Sequence, residues 1–234
     1  MAAFNYSRAD LYNQFDNGFG VTLQTNDRDY LPTYKITDTL LFTTFSIGTT
    51  DNRILDIYLY INKYIPQVKA SLKFLLNNTT NYYNNFLSPG LLRRNTNNTT
   101  AATIFVKTIF KSKINFETEN SFSVNNCKSI VGNLISISSY VNKAKLIFIP
   151  NKTITMFVVS DYFLPNLSSN KGSLFLNFNL SFKPSKTKIE LKLIANNVTN
   201  TLNILQYQVS DFSRSVFSSS TLPRNVLIYL AFKF

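Results

Sequence analysis

Residues 173–194 read SLFLNFNLSFKPSKTKIELKLI, and the fold class follows from them. Leu174, Leu176, Phe178, Leu180 and Phe182 take every second position, with Phe175, Asn177, Asn179 and Ser181 between them. A period of two lines one face of a strand and cannot stripe a helix. Lys183-Pro184-Ser185-Lys186-Thr187 interrupts the run with turn formers. Ile189, Leu191 and Leu193 then alternate with Lys188, Glu190 and Lys192. The stretch predicts a β-hairpin with one apolar and one wet face. A hairpin alone is marginally stable, so a second layer over the apolar face is expected.

Working outward, similar signals recur at Phe19–Thr25, Lys35–Ile47, Arg53–Tyr64, Thr103–Phe116, Ser121–Val124, Ser129–Tyr140, Lys145–Ile149, Thr153–Ser160, Leu202–Val209 and Val226–Phe232. One segment reads differently. Val68, Leu72, Leu75, Thr79, Tyr82 and Phe86 follow Pro66 at steps of three and four, which predicts an amphipathic helix near residues 67–86. Leu91–Ala102, with Arg93-Arg94 and a run of Asn and Thr, reads as an exposed loop. Residues 66–102 are therefore expected as a helical and loop insertion in a single domain spanning 18–234. Residues 1–17 lack a strong period and read as an N-terminal arm, whose Phe4, Tyr6, Leu11 and Tyr12 need something to dock on. About ten strands, with turn signals every 8–12 residues or so, predict a mainly β chain: an antiparallel, jelly-roll-like β-sandwich.

Composition narrows function by exclusion. The chain has no His, one Cys and six scattered Gly. Without His, neither a Ser–His nor a Cys–His nucleophile can be built, and the commonest general base is missing. Cys127 alone allows no internal disulfide and no cysteine zinc site. No glycine-rich phosphate loop is present. Glu117 and Glu119 share one face of a strand, but solvated carboxylates in such a pair are the ordinary case. An enzyme is not expected, and neither is a cofactor or a metal. Met1–Asp10 holds no apolar signal core, and no run of about 18 apolar residues exists to make a spanning helix.

Charged residues make up 15% of the chain, against roughly 25% in ordinary domains. Asn, about one residue in eight, supplies much of the polar surface instead. Such usage is expected from an A+T-rich gene. The net charge of +12 is uneven: residues 1–66 hold five basic and seven acidic groups, or −2, which leaves +14 for residues 67–234. That asymmetry points one surface at a polyanion. The candidates are Arg93 and Arg94, then Lys107, Lys111 and Lys113 beside Phe105, and Lys183, Lys186, Lys188 and Lys192 on the opening hairpin.

Three functions fit. The first is a non-enzymatic structural protein, a capsid or virion subunit that self-assembles, contacts other virion proteins and touches nucleic acid through its basic surface. The second is an RNA-binding ribosomal protein encoded by an organelle genome. The third is a receptor- or carbohydrate-binding β domain.

Overall fold

The computed structural model describes all residues except 37–40, 88–91, 112, 130–133, 169–170, 185–188, 211–213 and 233–234. Every element in the described residues is a strand: β1 (Ala2–Asp10), β2 (Phe15–Ile36), β3 (Leu41–Ile65), β4 (Ala70–Leu87), β5 (Leu92–Thr108), β6 (Ile114–Ser129), β7 (Ile135–Phe148), β8 (Ile154–Leu164), β9 (Ser173–Phe182), β10 (Ile189–Asn196), β11 (Asn203–Val209), β12 (Arg214–Ser220) and β13 (Asn225–Phe232). The chain is mainly β and its sheets are antiparallel.

Eleven strands form one meander in the order β1 through β10 and then β13. Each strand in it pairs antiparallel with the next, and a short parallel contact joins Thr33 and Tyr34 of β2 to Phe86 and Leu87 of β4. The hairpin β11–β12 is a separate two-stranded sheet that packs against β6, β7 and β9. The architecture is thus one large sheet and a small flap, where the sequence led us to expect two facing sheets.

The helix expected at residues 67–86 does not form; this segment is β4. The three- and four-residue apolar spacing was real, but Leu72, Phe74 and Leu76 also fall at period two. Asn77, Asn78, Asn81, Asn84 and Asn85 are poor helix formers. β3 and β5 offer hydrogen-bonding edges on both sides, and β4 pairs with them from Ala70 to Tyr82 and from Ala70 to Phe86. Tertiary pairing overrides local propensity here. For the same reason residues 92–102, expected as an exposed loop, are the first half of β5, and Arg93 there is buried at 4% exposure. Residues 2–10, expected as an arm, are strand β1, paired with β2 along its whole length.

Tyrosines over glycines tie β2 to its neighbours. A Cβ on Gly20 would stand 2.3 Å from Tyr58 Cε1, and one on Gly18 would stand 2.6 Å from Tyr60 Cε1. Only glycine leaves room for the two rings of β3 to lie across β2. Tyr60 then donates from its hydroxyl to Asp16 Oδ1 at 3.0 Å.

Candidate functional site

The registers divide the main sheet into two unlike faces. Directly paired residues share a face. Starting from Leu55, Ile57, Leu59 and Ile61 of β3, the pairings carry one face outward to Val21 and Phe19 of β2 and to Phe4 and Tyr6 of β1. In the other direction it passes to Leu72, Phe74 and Leu76 of β4 and to Val106 and Ile104 of β5. It continues through Phe116 and Leu146 to Val158, Leu176, Phe178 and Leu180. It ends on Leu191 and Leu193 of β10 and on Ile228 and Leu230 of β13. This apolar face is uncovered: Ile57 is 41% exposed, Ile104 43%, Leu146 44% and Ile228 71%.

Among the described residues, charges on the apolar face fall in two groups that border a charge-free band. Arg8, Asp10 and Lys63 mark one border of the band, and Asp51, Arg53, Arg94 and Lys128 the other, where the β2–β3 ladder runs on past Arg53. Between them the described residues of this face carry none. Two polar clusters interrupt it. Asn142 Nδ2 donates to Asn120 Oδ1 at 2.7 Å and lies 3.3 Å from Thr118 Oγ1, and the Tyr140 hydroxyl donates to Asn120 Oδ1 at 2.7 Å. Asn78, Thr80, Asn98 and Thr100 form the second, near the middle of β4 and β5 and opposite Ile57.

The opposite face is polar and holds the charges at mid-strand. One perpendicular row runs Asp16, Asn62, Lys73, Phe105, Glu119, Lys143, Asp161. The next runs Ser71, Lys107, Glu117, Lys145. Lys107 Nζ lies 2.8 Å from Glu117 Oε1, and Lys143 Nζ lies 3.6 Å from Glu119 Oε1. Lys145 stands over the Phe157 ring and Lys73 over Phe105, at 4.8 and 5.8 Å from the centroids. Burial raises the Asp161 carboxyl above its ordinary pKa, and Lys143 works against that shift. Asn62, Ser71, Lys73, Phe105, Lys107, Glu117, Glu119, Lys143, Lys145 and Asp161 line one depression of this face.

A second polar-face cluster centres on Glu190, whose side chain is 10% exposed. Its Oε1 lies 3.0 Å from Lys183 Nζ and 3.4 Å from Lys192 Nζ, and Ser181 donates to it at 3.1 Å. Lys183, then Ser181 and Lys192, hold this carboxyl below its ordinary pKa, while burial opposes them.

Among the described residues, the polyanion candidates do not gather into one positive surface. Lys107 is on β5 and Lys192 on β10, with four strands between, and each is matched by a glutamate. Lys111 and Lys113, expected in line with Lys107, fall past the end of β5 in the turn before β6. Arg93 donates from Nε to Ser129 Oγ at 3.3 Å. Arg94 is exposed and lines a shallow depression with Asp51, Arg53 and Lys128. Lys186 and Lys188 lie outside the described residues. Cys127 is in no disulfide and is buried at 2% exposure. Among the described residues no three of Cys, Asp and Glu come together as a metal would require. No described helix is long and apolar enough to cross a membrane.

The division into two faces escaped the sequence reading because it needs the registers, although alternation in each strand was visible. No protein-family model, curated protein or solved structure matches this chain.

Proposed function

We propose that this chain is a membrane-embedded β-sheet protein, a non-enzymatic wall whose apolar face meets lipid and whose polar face lines an aqueous interior. One observation carries the reading: across a band about ten residues tall, the described residues of the apolar face carry no charge. In β3, Arg53 and Lys63 bracket Leu55, Ile57, Leu59 and Ile61. Ten residues of strand are about 33 Å, and a tilt near 40° brings that to a height of about 25 Å, the apolar band of a membrane barrel. Alternation of apolar-out and polar-in over many strands is the pattern such walls need.

The exposed area agrees. A compact 26.7 kDa monomer exposes about 10,700 Å². This chain exposes 15643 Å². The excess belongs to a single-layer sheet, and an apolar face of that extent drives association in water. Hydrocarbon covers it without a partner protein.

The test is flotation of the full chain with phosphatidylcholine vesicles, followed by a urea wash. Protein that floats and resists the wash supports the reading; protein left at the bottom of the gradient overturns it. A self-assembling virion subunit is the second reading, favoured by the same uncovered face and by the two open sheet edges. Discrete large particles by light scattering, without lipid or detergent, would select it.

A further inference from the structure

We propose that β1 and β13 hydrogen-bond to each other in parallel and close the eleven-stranded sheet into a barrel within one chain. The inference rests on the membrane-embedded reading and goes one step past it.

Both edges of the sheet are open among the described residues: β1 pairs with β2 alone, and β13 with β10 alone. In hydrocarbon no water satisfies an edge strand, so each unpaired N–H and C=O is costly and spanning sheets close. Direction follows from the count. Eleven strands, each antiparallel to the last, leave the first and the last pointing the same way. The seam must be parallel.

The registers already contain the stagger of a barrel. A row perpendicular to the strands leaves β1 at its final residue, Asp10, and passes through Phe15, Lys63, Leu72, Val106, Thr118, Ala144, Ser160 and Leu176. Extending the β9–β10 and β10–β13 pairings takes it through position 197 to position 224, just before Asn225 opens β13. β1 therefore lies wholly to one side of the row and β13 wholly to the other. The sheet slides by about one residue per strand, the ratio in an eight-stranded barrel of shear 8, whose strands tilt about 36°.

The same count sets the seam. Tyr6 stands four residues above Asp10, and Leu230 stands six below position 224, so ten residues separate them. Shear must be even for like faces to meet; ten and twelve are equally near one residue per strand for eleven strands, and ten leaves more of β1 opposite β13, residues 2–8 against 226–232 rather than 2–6 against 228–232. Tyr6 then sits beside Leu230 and Phe4 beside Ile228, apolar face against apolar face. Asn5 and Ser7 continue the polar face from Tyr229.

The experiment is oxidative crosslinking of the full chain in phosphatidylcholine vesicles. Tyr6→Cys is combined in turn with Ile228→Cys, Leu230→Cys and Phe232→Cys, and with Leu180→Cys of β9 as a control. Native Cys127 is buried and stays out of reach. The expected result is an intrachain disulfide with Leu230→Cys, seen as a monomer of raised mobility on a non-reducing gel, and at least a tenfold lower yield with Leu180→Cys. Disulfide-linked dimers in place of the monomer product, or no product with any β13 partner, overturn closure. Flotation of the same variants keeps the two readings apart: chains that float without the intrachain link defeat closure alone, and chains that do not float defeat the membrane reading.

Discussion

Gly20 and Glu190 show how single residues hold this sheet. Gly20→Ala forces a methyl group against Tyr58 Cε1 and Asn5 Oδ1, both 2.3 Å from where its Cβ would stand. Overpacking of this kind costs about 1–3 kcal/mol. The loss should shrink when Tyr58→Ser is added, and a double-mutant cycle of urea unfolding in detergent checks it; strict additivity would remove the ring-over-glycine account. Glu190 makes a pH prediction. Its carboxyl is held below the ordinary carboxylate pKa, chiefly by Lys183. Its contribution is therefore present above the unfolded-state pKa and is lost as pH falls through the folded one. The stability gap between the natural chain and Glu190→Gln should be widest near neutrality and close in acid. A gap that does not change between about pH 7 and pH 3 would refute it. Asp161 has the opposite shift, because burial raises its pKa. Asp161→Asn should hold or raise stability at neutral pH, with the gain fading as acid protonates the natural residue.

At the scale of the element, β4 decides between the readings of the chain. Phe74 and Leu75 are neighbours in sequence and lie on opposite faces of the sheet, Phe74 with Ile61 and Ile104, Leu75 with Tyr60 and Thr103. A lysine on a lipid-facing strand position near the midplane costs about 2–4 kcal/mol, and a lumen position tolerates it. Phe74→Lys should lower the wash-resistant floating fraction strongly, whereas Leu75→Lys should leave it near the natural level. Equal losses from both would mean that β4 does not separate lipid from water. A helix in this segment would put Phe74 and Leu75 about 100° apart, with no such contrast.

At the scale of the molecule, the slide of about one residue per strand fixes a tilt. Polarised infrared spectra of oriented bilayers holding the full chain should place the strands about 35–45° from the membrane normal. Strands lying flat in the membrane plane would contradict both the wall and its closure. The charges agree with the same geometry. The belt on the polar face pairs Lys107 with Glu117 and Lys143 with Glu119. The chain's +12 excess therefore does not come from this belt.

Residue order by itself determined that the chain is β. Period two is a property of neighbours, and Leu174 to Phe182, Leu55 to Ile61 and Val226 to Phe232 display it without reference to anything distant. The absence of His and the single Cys were equally plain. Three things were not legible, each because it depends on partners far along the chain. Residues 70–87 carry both periods, and only the edges of β3 and β5 chose between them. Arg93 looked like a loop arginine until β5 met β6 and buried it against Ser129. Above all, alternation in one strand names two faces without saying which face of the next strand continues it. That choice lies in the registers, and only they align Leu55, Leu72, Ile104, Leu146, Phe178 and Ile228 on one uncovered surface and put Lys73, Glu119, Lys143 and Asp161 on the reverse.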